Sequence, residues 1–166
     1  CGWSQDLSLP VSDRAMLHAD NAYNLTDVEI VSHRLKTNTQ SNTAFRGFGG
    51  PQGIIGIERA IDHIAHYLNL DPASVRKTNF YKSSESLNED QSSMPDTTPY
   101  GMPVIDSISE KLLSSLFRTA NYKIRRKEIQ KWNKKNKFIK KGIGFSPVKF
   151  GISFTLTHLN QAGALV

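Results

Sequence analysis

The first part of the chain, residues 4–38, alternates apolar and polar positions with the two-residue period of a β-strand. The apolar positions are Leu7, Leu9 and Val11, most of residues 16–23, and Val28 and Ile30 on to Leu35. Residues 24–27 are rich in turn formers and separate the second stretch from the third. The pattern predicts a β region of short strands.

The period of the apolar positions changes to three and four residues after Gly53. The residues with this spacing are Ile54, Ile57, Ile61, Ile64 and Leu68. They lie on one side of a helix, which is predicted from Gly53 to about Leu70, just after Pro51. Asp71 followed by Pro72 is typical of an N-cap with proline in the first helical turn, so a second helix is predicted over residues 72–80.

The second half of the chain is predicted to contain a long loop, two helices and extended segments. The loop covers residues 83–103, with residues 100–102 as a docking point. Asp106 or Ser107 is expected to cap a helix whose apolar face consists of Ile108, Leu112, Leu116 and Ala120. Asn121 is expected to cap a basic helix that ends near residue 135. Residues 142–154 are predicted to be extended, and a last strand begins near Gly163. Strands and helices in separate blocks predict an α+β fold, with residues 1–166 as one segment.

Composition excludes several protein classes. Of the 166 residues, 38% are apolar and 22% charged, which allows a packed core and excludes collagen and disorder. No apolar run approaches the about 20 residues of a membrane helix, and no export signal is present, so we expect a cytoplasmic location. The single cysteine, Cys1, excludes an internal disulfide, and zinc motifs are absent. Because the chain begins with Cys1 and ends in an apolar stretch, we expect a segment truncated at both ends.

The positive charge is local. Residues 121–141 contain ten Lys or Arg and one Glu, while the whole chain carries a net charge of +6. A nucleic-acid or acidic-lipid patch is one interpretation. The solvated face of a helix, with Ile124, Ile129 and Trp132 on its apolar side, is favoured because no nucleic-acid recognition motif accompanies the charge. A contact with a partner subunit stays open.

The most unusual stretch is residues 41–53, where four glycines and two aromatic residues surround Arg46 just before a predicted helix. It lacks the third glycine of a dinucleotide fingerprint and the Gly-Lys-Ser or Gly-Lys-Thr of a phosphate-binding loop. It also occurs once, whereas RNA-binding Arg-Gly segments are repeated. Composition alone favours a tight strand-to-helix turn with Phe45 and Phe48 in the core.

Other residues with chemical potential are Arg14 and two histidines. Arg14 is predicted at the start of a buried strand, where it could pair with Asp13 or Asp20 or face an anionic ligand. His63 and His66 have a spacing that suits a metal, but no third ligand is near, which favours surface or packing roles.

Four segments taken together, residues 2–8, 13–21, 43–52 and 147–155, resemble the molybdenum-binding region of the xanthine dehydrogenase and aldehyde oxidase family. The run at residues 44–52 is highly specific for this family. Residues 98–101 and 157–164 are more similar to its bacterial form, in which the molybdenum-binding part is a separate subunit.

The resemblance implies part of a purine hydroxylase that oxidises hypoxanthine and xanthine to urate at a molybdenum-pterin cofactor. Electrons would leave through 2Fe-2S clusters and FAD to NAD, carried by other domains or subunits of a homodimeric assembly. The family's general-base glutamate would lie beyond Val166 and a substrate-binding glutamate before Cys1, so the fragment alone is expected to be inactive. The alternative is an aldehyde oxidase. In aldehyde oxidases, however, the position that matches Arg14 is not normally arginine.

Matched to the family position by position, Arg14 is the catalytic arginine that orients the substrate and Phe48 is the phenylalanine that stacks on the purine. The backbone of Arg46 would approach the molybdenum, and Phe45 and Gly47 would complete the cofactor-binding loop. These roles agree with general chemistry, because a guanidinium stabilises negative charge that develops on a purine under attack.

Overall fold

The computed structural model describes residues 1–82, 95–152 and 163–165. In these ranges the chain forms five helices, α1 (Ser8–Leu17), α2 (Gly50–Tyr67), α3 (Pro72–Thr78), α4 (Ser109–Thr119) and α5 (Tyr122–Lys135). The β-structure of the same ranges is three isolated bridges, Gly2 with Leu35, Tyr23 with Phe80 and Thr97 with Pro103. The α+β class is not confirmed by these residues and stays a prediction.

The chain divides into two compact units, of which the first comprises Cys1–Asn21, Leu25–Ala60 and Val148–Val166. Its centre is the approach of α1 to the start of α2. A Cβ atom added at Gly49 would lie 2.0 Å from the carbonyl oxygen of Val11, and one added at Gly53 would lie 2.1 Å from that of Ala15. Glycine at these two positions therefore lets the two backbones touch.

The predicted β region is wrong at its start, because α1 occupies residues that were expected to form strands. The buried positions of α1 are Ser8, Pro10, Ser12 and Arg14. The alternating leucines and valine therefore do not mark the core. The hydroxyl of Ser8 donates to the carbonyl of Asn42, and that of Ser12 donates to the carbonyl of Ser8 at 2.9 Å. A buried face of small, satisfied polar groups has no apolar periodicity for a sequence pattern to detect.

The second unit comprises Ala22–Asn24 and Ile61–Pro147. Tyr23 and Phe80 form an antiparallel bridge, and their rings stack with centroids 5.8 Å apart. Helix α4 packs against α5. The buried apolar residues of this unit are Ala22, Tyr23, Ile61, Ala65, Ala73, Val75, Phe80, Tyr81, Leu113 and Tyr122. Arg76, only 3% exposed, forms an ion pair with Asp62 at 2.7 Å.

The helix predictions for the rest of the chain are confirmed, with corrections at the ends. Helix α2 starts at Gly50, three residues before the predicted start, and includes Pro51 in its first turn, where a missing N–H is tolerated. Helix α4 is preceded by Ile108 and has no side-chain cap, so the predicted cap by Asp106 or Ser107 is wrong. Asn121 precedes α5 as predicted, in a left-handed conformation and without a side-chain cap bond.

The remaining predictions concern loops and extended segments. Residues 83–94 of the predicted loop, and residues 153–154 of the extended segment, lie outside the described residues. Residues 142–152 have no regular secondary structure, and the same holds for residues 163–165, where a strand was predicted to begin. In residues 100–102, Tyr100 is 42% exposed and Met102 48% exposed, which does not support the predicted docking point.

Asp71 joins α3 to α5, and its replacement by alanine is expected to destabilise the protein. Its carboxylate accepts from the Ala73 N–H at 2.9 Å, from the Tyr122 hydroxyl at 3.0 Å and from Arg126 Nε at 3.1 Å. Loss of the cap at Ala73 costs about 1 kcal/mol, and loss of the partner of the buried Tyr122 hydroxyl costs about 1 kcal/mol more. We expect Asp71→Ala to lower the free energy of unfolding in urea by about 2 kcal/mol.

The control for this experiment is Asp106→Ala, because Asp106 is exposed and was wrongly predicted as a cap. It should change the free energy of unfolding by less than about 0.5 kcal/mol. Burial, followed by the hydrogen bond to Asp71, raises the pKa of Tyr122, so Asp71→Ala should also bring this pKa back toward its usual value. Equal destabilisation by the two variants would contradict the assignment of Asp71 as the cap.

Candidate functional site

The glycine-rich stretch forms a tight turn at the start of α2. Gly47, Phe48 and Gly49 all have positive φ angles, of 91°, 52° and 100°. The turn is closed by the Phe48 N–H, which donates to the carbonyl of Phe45 at 2.7 Å, and by the Gly50 N–H, which donates to that of Gly47 at 3.0 Å. Positive φ is uncommon for a non-glycine residue, so the backbone at Phe48 is strained. Backbone strain of this kind clusters at functional sites.

This turn brings Phe48 to Arg14. The guanidinium carbon of Arg14 lies 5.8 Å from the centroid of the Phe48 ring and 5.6 Å from that of the Phe150 ring. The arginine is 4% exposed. A buried guanidinium near two aromatic rings has less water to screen its charge than one on the surface. Two of the predicted site residues are therefore neighbours, although they are far apart in the sequence.

The prediction that Arg14 starts a buried strand is wrong, because Arg14 lies in the last turn of α1. It is buried as expected. Its guanidinium donates a hydrogen bond to the carbonyl of Gly151. The two acidic residues proposed as its partners contact other cations: Asp13 pairs with Arg34 at 3.3 Å, and Asp20 pairs with Lys149.

The segment Lys149 to Gly151 is tied to the end of α1 by several contacts that the sequence did not reveal. The Lys149 N–H donates to Asn21 Oδ1 at 3.0 Å, while Asn21 Nδ2 donates to Glu58 at 3.0 Å. The ring of Phe150 packs on Gly50, where an added Cβ would come within 2.3 Å of it. No local pattern could have predicted this segment's role, because its partners are 100 or more residues away in the sequence.

His18 follows α1 and is buried, with 5% of its surface exposed. Its Nδ1 lies 2.8 Å from the carbonyl oxygen of Arg14, and its Nε2 lies 3.0 Å from the N–H nitrogen of Gly151. A carbonyl only accepts and an N–H only donates, so the proton is on Nδ1 and Nε2 accepts. Burial lowers the pKa of His18 below its ordinary value, as do the charges of Arg14 and Lys149; the Arg14 carbonyl and Asp20 act in the opposite direction.

The lowered pKa predicts how stability depends on pH. The folded state binds a proton at His18 less readily than the unfolded state, whose pKa is near 6.5. The contribution of neutral His18 to the free energy of unfolding is thus fully present above pH 6.5. It is lost as the pH falls from there through the lower pKa of the folded state. Urea unfolding at pH 7.5, 6.0 and 5.0 measures this, and His18→Phe should flatten the profile. An equally steep profile in His18→Phe would show that other groups cause it.

The residues predicted to bind the cofactor lie on the outer side of the turn. Phe45 is 78% exposed, so its predicted place in the core is wrong. Arg46 is also exposed, and Gly47 is partly exposed. The turn offers the exposed guanidinium of Arg46 and the backbone of Gly47, a donor set that suits the phosphate and pterin edges of a molybdenum-pterin cofactor. The residues present therefore fit such a group.

A cavity near the turn lies on another side of α1. Its volume is about 700 Å³, and its lining includes Ser8, Val11 and Ala15 of α1 together with Phe45 and Gln52. Among the described residues, neither Arg14 nor Phe48 lines it. This cavity is therefore separate from the Arg14–Phe48 pair.

Metal-binding clusters and membrane-spanning helices are both absent from the described residues. In residues 1–82, 95–152 and 163–165, no group of three or more His, Cys, Asp or Glu side chains could hold a metal ion. His63 and His66 are both exposed on α2, which agrees with surface roles. None of the helices in the described ranges is long and apolar enough to cross a membrane.

The chain is similar to a known domain family and to several xanthine dehydrogenases. Residues 1–80 match the family model described as the molybdopterin cofactor-binding domain. Over 99% of its length the chain is 41% identical to the xanthine dehydrogenase of Dictyostelium discoideum, and 42% identical to the xanthine dehydrogenase/oxidase of Gallus gallus. The chain is thus similar to one part of these xanthine dehydrogenases, and its first 80 residues are similar to a molybdopterin cofactor-binding domain.

The length and the source organisms of these xanthine dehydrogenases bear on what the chain represents. The chain spans 11% of the length of each of these two relatives. Both are eukaryotic, so the predicted bacterial form is not supported. The match to rice xanthine dehydrogenase, 39% identical over 99% of the chain, extends the similarity to plants.

Proposed function

We propose that this chain forms the substrate-facing part of a molybdenum hydroxylase of the xanthine dehydrogenase type, which oxidises hypoxanthine and xanthine to urate in the intact parent protein. The observation that carries the proposal is the 5.8 Å approach of the Arg14 guanidinium to the Phe48 ring, two residues that the family resemblance assigned to the substrate.

Arg14 supplies the charge that the reaction needs. Oxidation at a purine carbon places negative charge on the ring heteroatoms, and a fixed guanidinium opposite them stabilises the transition state more than the ground state. The charge of Arg14 is effective because the side chain is buried and its position is set by the bond to Gly151. A cation that is already oriented needs no reorganisation during the reaction.

Phe48 supplies orientation. The positive φ of Phe48 and the two closing hydrogen bonds of the turn hold its ring beside Arg14. A phenyl ring in a fixed position can stack on a flat purine and direct one edge of it toward the arginine. The pair therefore distinguishes a planar substrate with ring heteroatoms from a simple aldehyde.

The cofactor-binding part of the proposal concerns the outer side of the turn. Phe45, Arg46 and Gly47 would contact the molybdenum-pterin group, with the backbone of Arg46 nearest to the metal. When bound, this group supplies the oxygen transfer and accepts the electrons of the oxidation. The exposed Arg46 side chain would pair with anionic parts of the cofactor, and Gly47 would allow the backbone a close approach.

Other parts of the parent protein complete the proposal. We place the 2Fe-2S clusters, the FAD and the general base outside residues 1–166, and we expect a homodimeric, cytoplasmic assembly that passes electrons to NAD. The resemblance to the family supports these points. The isolated chain is expected to be inactive, because it would lack the base and most of the cofactor contacts.

The experiment that tests the proposal uses the purified intact parent protein with its molybdenum content measured. Urate formation from xanthine at a rate far above that of aromatic aldehyde oxidation is the expected result. The opposite preference would favour an aldehyde oxidase, and the absence of both activities in protein with full molybdenum content would overturn the proposal.

The basic segment gives a separate prediction about activity. Lys134, Lys135 and Lys137 are exposed, at the end of α5 and just after it. Exposed charges on a solvated helix face have no part in the proposed chemistry, so replacing all three by glutamine in the parent protein should change kcat on xanthine less than about twofold. A large loss of kcat in folded protein, or tight salt-dependent binding to DNA that the triple variant abolishes, would show that the segment is a functional patch.

A further inference from the structure

Arg14, His18 and Gly151 form a closed circuit of hydrogen bonds beside the C-terminal end of α1. The Arg14 guanidinium donates to the carbonyl of Gly151, and the N–H of Gly151 donates to His18 Nε2 at 3.0 Å. His18 Nδ1 then donates to the backbone carbonyl of Arg14 at 2.8 Å. The imidazole thus links the backbone of Arg14 to the backbone of Gly151, which accepts the hydrogen bond from the Arg14 side chain.

The imidazole can do this only in one protonation state. Its Nδ1 must carry a proton for the Arg14 carbonyl, and its Nε2 must be free to accept from Gly151. The charged groups near the ring are Arg14, Lys149 and Asp20, and burial together with the two cations favours the neutral ring. The neutral tautomer that the circuit requires is therefore the one that its surroundings favour.

The other contacts of the segment act on neighbouring atoms. Asn21 and Asp20 hold the backbone and the ammonium group of Lys149, two residues before Gly151. Phe150 lies between, with its ring 4.8 Å from that of His18. These contacts hold Lys149 and Phe150 in place. His18 instead accepts a hydrogen bond from the N–H of Gly151, and the carbonyl of the same residue accepts one from Arg14.

We propose that His18 is a positioning residue for Arg14: it fixes the Gly151 backbone, and through it the direction of the guanidinium that would face the purine. The proposal rests on the function proposed above. Since His18 contacts the backbone of Arg14 and not the substrate, its effect on chemistry must pass through Arg14.

The test uses variants of the intact parent protein, assayed on xanthine and on an aromatic aldehyde, with kcat expressed per bound molybdenum. His18→Phe keeps the ring volume and the packing on Phe150 but removes both hydrogen bonds. His18→Asn keeps a donor for the Arg14 carbonyl and loses the acceptor for Gly151. His18→Gln can still present an acceptor to the Gly151 N–H. His66→Asn, at an exposed position of α2, is the matched control.

Both His18→Phe and His18→Asn lose the hydrogen bond to Gly151, the one that positions the guanidinium. We expect each to lower kcat on xanthine about tenfold, with little change in kcat on the aldehyde. His18→Gln should recover at least about a third of the rate on xanthine, because it retains the link to Gly151. His66→Asn should leave the rates on both substrates unchanged.

A double-variant cycle shows whether the effect passes through Arg14. In an Arg14→Met background, His18→Asn or His18→Phe should lower kcat on xanthine no further, because the group that His18 positions is gone. Additive losses, or equal losses on xanthine and aldehyde in the single variants, would overturn the positioning role. If Arg14→Met itself left the preference for xanthine intact, the proposed function would fail instead. If only Arg14→Met had an effect, the proposed function would stand and the role of His18 would not.

Discussion

Arg14→Met in the intact parent protein is expected to lower kcat on xanthine about a hundredfold while the fold and the molybdenum content are retained. A methionine side chain can fill similar space at a position that is 4% exposed. The loss of a fixed charge partner for a developing anion costs on the order of 3 kcal/mol, which corresponds to about a hundredfold in rate.

The comparison of two substrates makes the Arg14 experiment specific. An aromatic aldehyde develops no heteroatom charge at the place of the purine ring, so its hydroxylation should be at least as fast in Arg14→Met as before. Arg59→Met, at an exposed position of α2, is the control and should change neither rate. If xanthine and aldehyde turnover fell by the same factor in protein with full molybdenum content, Arg14 would have only a structural role.

Gly49→Ala is expected to be the most destabilising single-atom change in the first unit. The new Cβ would lie 2.0 Å from the carbonyl oxygen and 2.9 Å from the carbonyl carbon of Val11, and these are backbone atoms of α1 that cannot rotate away. Gly49 also has a φ of 100°, which a residue with a Cβ rarely adopts. Overpacking costs about 1–3 kcal/mol and the strained φ about 1–2 kcal/mol, so we expect a loss of about 3 kcal/mol or more.

Gly56→Ala is the matched control for Gly49→Ala. Gly56 lies inside α2, and an added Cβ would meet nothing within 4 Å. Alanine forms helices better than glycine by about 1 kcal/mol, so Gly56→Ala should be more stable than the unsubstituted protein. Urea unfolding of both variants measures the two effects. A loss below about 1 kcal/mol in Gly49→Ala would contradict the close approach of α1 and α2.

Some elements could be predicted because their causes are local. The three- and four-residue spacing of isoleucines predicted α2, and Asp71 before Pro72 predicted α3 together with its cap. Capping and periodicity involve residues within one or two turns of each other, so a short stretch of sequence contains the information. The cap prediction failed at α4, where Asp106 and Ser107 make no cap bond and Ile108 takes the N-cap position.

The amphipathic pattern of α4 also shows what a period leaves undecided. Its spacing predicted a helix, and Ser109–Thr119 confirms it, yet Leu112 and Leu116 on the predicted apolar face are 59% and 48% exposed, while Leu113 is buried. A period indicates that one side of a helix is apolar. Which surface covers that side depends on the rest of the protein.

The sequence by itself indicated a resemblance to the xanthine dehydrogenase family, through the run at residues 44–52 and the segment around Arg14, and its local spacing predicted α2, α3, α4 and α5. Only the tertiary structure decided that residues 8–17 form a helix, because the buried side of α1 is polar and its hydroxyls are satisfied by partners such as Asn42. Only the tertiary structure placed Gly151 against Arg14, 137 residues away, and His18 between their backbones. Contacts of this range depend on how the whole chain packs, and no local period or motif records them.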